Sequence, residues 1–544
     1  MRMRWHLTVK ADGTPKARIV LLGFEDHRLG HMKTASPTAS VRGRNLAYQL
    51  CANHRLRLHK GDVKAAFLQS RGAHTGIMVE PVRELREAMD LKEDEVVMML
   101  KKAYGLCDAP KEWFDEVSRR MRDGGWTPMQ LEPCVWTLYG DKKELIAIAF
   151  VHVDDFVVGV NEDSPLAQQK FKELRGYWKW GSWETSTFRQ TGVDVVQLAD
   201  FSISQTFVAA AAKVDVIEGW SGRGARPDDK LPPAGVTACR AAVGGLQYLA
   251  SQGMSIIAAD TSILASYTNE ATYGLVTRLN KVIRTAREAA LVPIRTRAVL
   301  NPLFIAFHDA AWAVRKDGKS QGGFIIAMGE TDMREGKSRP VSPMLFASRK
   351  CPRVTRSILG CEVQSGNLCH EELTYMRLAY TEMCDGRVDL RDVPRALRRT
   401  RATLVTDCKS LYDALSCNVS AGLGTDDRRS GIEALCLKQG LEEGATEVRW
   451  VHSESMPADG LTKGTSAARS VLADFLTRGY WRLTLDDSFQ SSKKRRAAGR
   501  TDILDDGVER PPMFPTLRDE AELDWGEFYL DVSAWEAREN ESEG

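Results

Sequence analysis

The sequence predicts two sheet-containing halves joined by helices: an α+β half, a helical connection and an α/β half. Three observations carry this. The first is Leu145–Val160, where an apolar run climbs to Val153, meets Asp154-Asp155 and drops back into FVVGV, the pattern of two short strands with both aspartates at the turn between them. The second is the run from Phe304 to Asp459, which reads strand, strand, helix, strand, helix, strand with acids at the element ends. The third is Arg240–Ser266, which reads as two amphipathic helices behind the Gly/Pro-rich, charged stretch Ser221–Pro233, the best internal linker candidate.

Two adjacent carboxylates inside an apolar run are costly to bury without a positive partner. A hard divalent cation suits them, because Mg²⁺ takes oxygen ligands and is commonly held by one or two carboxylates plus substrate phosphates. An ordinary Asp-Asp hairpin turn is the competing reading, since Asp favours turns.

The 544 residues are enough for two to four domains with real cores. A net charge of +2 conceals strong asymmetry. Residues 1–60 carry twelve Lys/Arg against three Asp/Glu, which suggests a phosphate-rich partner. Residues 497–544 carry four against fourteen, which suggests a solvated or regulatory tail. The eleven cysteines lack CxxC pairs and zinc-finger spacing, so free thiols in a reducing compartment are expected. No run of about eighteen uncharged apolar residues predicts a membrane span, and Met1–His6 lacks the apolar core of a secretory signal.

Taken in order, Trp5–Phe24 reads as a hairpin: Trp5, Leu7 and Val9 alternate, Asp12-Gly13 supplies the turn, and Ile19–Leu22 return. Lys16 and Arg18 lie two apart on the return strand and share a face, where a solvated basic strand is the plainer reading. Leu56–Leu68 puts Asp62 at a strand end before a turn into helix, with Phe67 five residues on. Tyr104–Trp113 is a Gly/Pro-punctuated loop leading into a helix toward Arg122. Phe171–Trp183 is aromatic and basic, read as packing with base stacking as the rival. In the second half one strand ends at Asp309 and another starts near Gly322. Glu362 opens a long helix through Met383, a strand ends at Asp407 before helix Lys409–Leu415, and Val448–Asp459 is a strand and loop. The basic run Lys493–Arg496 reads as solvated surface, with a nuclear localisation signal or nucleic-acid patch as rivals. Trp525, Phe528, Tyr529 and Trp535 lie among the acids of the tail.

Lys16–Gly23 (KARIVLLG), Asp62–Leu68 (DVKAAFL), Tyr104–Trp113 and Val153–Phe156 (VDDF) together resemble, in order and spacing, the reverse transcriptase of copia-type LTR retrotransposons. The resemblance implies a right-hand polymerase palm and fingers, with Asp62 converging on Asp154 and Asp155 to hold two Mg²⁺ ions, Mn²⁺ being able to replace them. It implies that Phe67 floors the nucleotide sugar pocket and that Lys16 and Arg18 neutralise the incoming triphosphate. Asp108 stands where the family has a glutamine beside the nucleotide, after Cys107 in place of lysine, and the chain opens with the family's fingers already under way.

The second half resembles the RNase H domain that follows in such elements, an α/β domain with a mixed sheet. There Asp309, Glu362, Asp407 and Asp459 fall at the four metal-binding acids, again for two Mg²⁺ ions. His452 is a candidate for proton transfer or product release, or a loop histidine without a role. Glu371 and Glu372 rival Glu362, and Gly360-Cys361-Glu362 keeps one of the two family glutamates.

The implied domains are 1–219 fingers and palm, 220–300 linker and helical thumb or connection, 301–465 RNase H-like, and 466–544 a C-terminal extension. The implied partners are an RNA template, DNA primer and RNA–DNA hybrid, deoxynucleoside triphosphates, and other Gag and Pol products. Membrane is not among them, and the expected location is the cytoplasm, in a virus-like particle, or the nucleus. Cys107-Asp108 and the missing glutamate favour a second reading, a remnant that binds nucleic acid without polymerising.

Overall fold

Strands β1 (Arg57–Val63), β2 (Leu145–His152) and β3 (Asp155–Val160) are the centre of the first half, and the apolar run around the two aspartates does form a hairpin. The computed structural model describes residues 1–9, 13–71, 76–220, 226–416, 427–464 and 466–483. Asp12 of the expected first turn, residues 221–225 of the linker, the Lys493–Arg496 run and the acidic tail lie outside them. Among the described residues the chain divides into two units, one made of 1–47, 54–186 and 382–387, the other of 48–53, 187–381 and the residues from 388 onward.

In the first unit the strand order is 180–185, β1, β3, β2, 135–139, 127–128, antiparallel throughout. β2 is buried along almost its whole length, which is why it reads as a continuous apolar run rather than an alternating one. Helices Ala109–Asp123 and Pro165–Arg175 bring Trp113, Val117, Met121 and Leu174 against Ile146, Phe156, Val158 and Trp178. The stretch Phe171–Trp183 packs: Phe171 meets Trp183 edge-on at 5.2 Å and Trp178 meets Trp113 at 5.3 Å. The first hairpin forms as expected, Met3–Val9 against Pro15–Leu21.

One expectation is corrected. His152 pairs with Asp155, so the two turn residues are Val153 and Asp154, and Asp155 is already the first residue of β3. The hydrophobic pattern locates a hairpin, but register depends on which backbone groups pair, and the pattern is silent on that.

The second unit holds a four-stranded antiparallel sheet of 187–190, 193–197, 203–206 and 294–296, short strands that the sequence did not announce. Helices Pro233–Gln252 and Ala258–Ala265 match the two expected, and a third, Tyr273–Ala289, follows. The second sheet is mixed. β4 (Pro302–Ala311), β5 (Gln321–Glu330) and β6 (Ser342–Lys350) form an antiparallel meander, while β7 (Arg401–Thr406) and β8 (Thr446–Trp450) add in parallel beside β4. Helix α1 (Ile358–Asp385) connects the meander to β7. Two elements go beyond the expected series, strand β6 and helix Arg428–Glu443. The first is buried along most of its length and so lacks a period-two signature; the second opens with two arginines, unfavourable against the dipole at a helix N-terminus, and contains two glycines. Leu303, Ile305, Phe307, Ile325, Val405, Leu461 and Phe475 share this unit's core. No helix among the described residues is long and apolar enough to cross a membrane.

Candidate functional site

The first cluster is assembled by strand pairing. Asp62 lies directly opposite Asp155 on β1 and β3, and Asp154 occupies the adjoining turn. Burial raises the pKa of Asp62, and Asp154 and Asp155 raise it further, while Lys60 and Lys16 pull it down. Asp154 is also raised, by burial first and then by Asp155, with Arg18 opposing. Lys60 lies 3.1 Å from Asp155. Lys60 is two residues from Asp62 on one strand, a spacing that puts both on the same face.

The turn is held under strain. Val153 has φ of 60°, a region a β-branched residue rarely enters, at the first central position of a two-residue loop where glycine is the usual occupant of such turns. Its carbonyl accepts a 2.6 Å hydrogen bond from Trp113 Nε1.

Tyr104 gathers the other predicted residues. Leu21 N–H donates to Tyr104 O at 2.8 Å, and Gly105 (φ 97°) lets the two segments touch, since a Cβ there would meet Leu21 O at 2.0 Å. This seats the hairpin so that Arg18 lies 5.0 Å over the Tyr104 ring, whose other neighbour is Phe67 at 5.0 Å. Lys16 and Arg18 both act electrostatically on the acids, on Asp62 and Asp154 respectively. Asp108 is not a free negative charge: Lys102 Nζ sits 2.5 Å away and Arg28 3.7 Å.

The second cluster gathers acids from four elements. Asp309 lies near the end of β4, Asp407 just past β7, Glu362 in the first turns of α1, and Asp459 in the short helical turn Pro457–Leu461. Oxygens of Asp309, Asp407 and Asp459 lie within 4.8 Å of one another. Asp309 pairs with Gly323 of β5, where a Cβ would meet Leu461 Cβ at 2.6 Å. That missing side chain lets the 457–461 turn lie on the sheet and bring Asp459 to Asp309.

Glu362 is almost wholly buried; one oxygen accepts from Ala310 N–H at 3.3 Å and the other has no hydrogen-bond partner. Burial, then the charges of Asp309 and Asp407, push its pKa well up. Burial and Asp309 likewise push Asp407 and Asp459 up, although Ser453 donates to Asp407 at 2.6 Å and Lys463 pulls both down. Buried, mutually repelling carboxylates with one orphaned oxygen are the donor set that a hard divalent cation completes. Of the rivals to Glu362, Glu372 is engaged by Arg349 at 3.4 Å and Glu371 is exposed. His452 is buried, with its ring 6.1 Å from Trp450.

Lys463 and Thr462 join the cluster although neither is a carboxylate. Lys463 lies 3.0 Å from Asp459 and 3.5 Å from Asp309, and the Thr462 hydroxyl donates to Asp309. The four-residue spacing of Asp459 and Lys463 was the available signal.

Residues 1–209 match the family described as reverse transcriptase (RNA-dependent DNA polymerase). The retrovirus-related Pol polyprotein from transposon TNT 1-94 of Nicotiana tabacum is 26% identical over 178 residues, 31% of this chain and 13% of that protein. The retrovirus-related Pol polyprotein from transposon RE1 of Arabidopsis thaliana is 23% identical over 499 residues, 87% of this chain and 31% of that protein. The chain therefore spans less than a third of the length of either relative. Among solved structures, a foamy viral protease-reverse transcriptase in complex with RNA/DNA hybrid aligns at TM-score 0.44 and 9% identity, over 83% of this chain and 50% of that one. The chain is thus similar to a reverse transcriptase family over its first 209 residues and to retrotransposon Pol polyproteins along most of its length.

Proposed function

We propose that the chain is an RNA-directed DNA polymerase joined to a ribonuclease H, copying retrotransposon RNA into DNA and degrading the RNA of the hybrid. Asp62, Asp154 and Asp155 are the polymerase metal ligands; Asp309, Glu362, Asp407 and Asp459 are those of the nuclease. The observation that carries the reading is the pairing of Asp62 with Asp155 across adjacent strands, with Asp154 in the turn beside them. The domains follow as 1–219 polymerase, 220–300 connection, 301–465 nuclease and 466–544 extension.

Bound Mg²⁺ would supply Lewis-acid activation of the attacking hydroxyl or water and neutralise charge on the leaving oxygen. The chain's own residues do the rest. Arg18 and Lys16, on one face of their strand, offer positive charge to a triphosphate. Phe67, packed at a tilt against Tyr104, forms an apolar floor for a deoxyribose. In the second half, Ser453 and Thr462 orient Asp407 and Asp309 by hydrogen bonds, and Glu362 reaches the sheet through Ala310 N–H. The substrates are a primed RNA or DNA template with deoxynucleoside triphosphates, held mainly through backbone phosphates.

The rival reading, a remnant that binds nucleic acid without polymerising, leans on Asp108. The Lys102 and Arg28 charges beside Asp108 offset the repulsion that reading depends on. Primer extension on poly(rA)/oligo(dT) with Mg²⁺ decides between them. Template-dependent incorporation that Asp154→Asn abolishes supports the enzyme; tight binding of the primed template with no incorporation supports the remnant.

A further inference from the structure

The second acid cluster already contains a cation. Lys463 Nζ lies 3.0 Å from one oxygen of Asp459 and 3.5 Å from both oxygens of Asp309, the same two residues whose oxygens close the potential metal group with Asp407. The position is built rather than incidental. Asp459 accepts Lys463 N–H at 3.0 Å, and the intervening Thr462 N–H also bonds back to Asp459 O at 3.1 Å, so one turn presents the carboxylate and the ammonium together. Thr462 also holds Asp309 through its hydroxyl. The lysine side chain is 36% exposed, against 2% for Asp309 and 13% for Asp459, so its ammonium has a route to water that the acids lack.

Resting on the reading of this cluster as a metal centre, we propose that Lys463 is its built-in counter-cation: it holds Asp309 and Asp459 together in the metal-free protein and competes with a divalent ion for their oxygens. The physical reason is spacing. Mg²⁺ binds oxygen at roughly 2.0–2.1 Å. An ion sharing the Asp309 and Asp459 oxygens with Lys463 would lie within a few ångströms of the ammonium, and like charges at that range repel strongly in a buried setting. Metal entry is therefore coupled to the lysine swinging outward. Without the lysine the acids would repel one another until metal arrived. A lysine that only stapled the turn to the sheet would stabilise the fold and leave metal affinity alone.

The test is Mn²⁺ binding to the full chain by calorimetry, with Asp407→Asn identifying the ions that belong to this cluster. Lys463→Met is expected to bind those ions tighter, by on the order of tenfold, the scale on which outer-sphere groups tune metal affinity. It is also expected to melt lower than the parent in EDTA and to gain more from added Mn²⁺. Lys463→Arg, which keeps the charge, should bind as the parent does. If Lys463→Met does not fold, Lys463→Gln, which keeps a hydrogen-bond donor for Asp459, gives the same comparison. Unchanged or weaker Mn²⁺ binding in the neutral variant overturns the counter-cation role. Mn²⁺ binding that Asp407→Asn leaves untouched overturns the metal reading of the cluster itself, and this proposal with it.

Discussion

Trp113 Nε1 donates to the carbonyl of Val153, the residue whose positive φ sets the turn carrying Asp154. A buried tryptophan therefore clamps a strained peptide next to the carboxylates. Trp113→Phe keeps most of the packing and loses the clamp, at about 1–2 kcal/mol in urea unfolding, and incorporation should fall while primed-template affinity holds. Val153→Gly removes a left-handed penalty of roughly 1–2 kcal/mol and adds a glycine entropy cost of roughly 0.5–1 kcal/mol. It should be neutral to slightly stabilising, and a loss of about 2 kcal/mol or more in the same measurement would count against strain at this turn.

The two clusters draw on different sheets, so their chemistries should separate by mutation. Asp407→Asn is expected to abolish cleavage of an RNA–DNA hybrid and to leave primer extension near the parent rate. Unaltered cleavage removes Asp407 from the nuclease.

Gly323 controls how closely the 457–461 turn approaches Asp309. In Gly323→Ala the new Cβ meets Leu461 Cβ, and a clash of that kind in a packed core costs about 1–3 kcal/mol. Hybrid cleavage should drop with that loss and primer extension should not, measured on one preparation of the full chain.

Asp26 gives a pH signature in the first unit. Its carboxylate is held down to about 2, chiefly by the Arg28 hydrogen bonds, which outweigh its burial. A carboxylate lowered by folding contributes stability above its unfolded pKa and loses it as pH falls through the folded value. The contribution is therefore present above about pH 4 and fades toward about pH 2, and screening of the partly exposed Arg28 keeps it small. Acid unfolding of Asp26→Asn should lack this segment, starting from a less stable protein at neutral pH. An unchanged acid profile would mean the pair contributes nothing.

In the proposed polymerase, Lys102 and Arg28 offset the charge that Asp108 would present to a triphosphate. Lys102→Met should raise the KM for deoxynucleoside triphosphate by about tenfold, equivalent to about 1.4 kcal/mol of lost attraction. Asp108→Gln removes the negative member instead and should lower it, because the Lys102 and Arg28 charges are then unopposed. A KM that neither change moves in steady-state kinetics would place these charges away from the triphosphate.

The amino-acid order by itself determined where the acids sit on their elements. Asp154-Asp155 interrupts an apolar hairpin, and Asp309 and Asp407 fall within two residues of apolar strand ends. Glu362 lies in the first turns of a helix that starts at Ile358 rather than at Glu362 itself, because period and punctuation are local but blur exact element ends. Only the tertiary structure decided that Asp155 faces Asp62, that Val153 rather than an aspartate takes the strained turn position, and that Lys463 enters the cluster of acids. Those depend on strand register and on the close approach of segments far apart in the chain, at Gly105 and Gly323 among other places. The buried β2 and β6 show the same limit: strands covered on both faces lose the alternation that would announce their pairing, so hydrogen bonds and packing settle it instead.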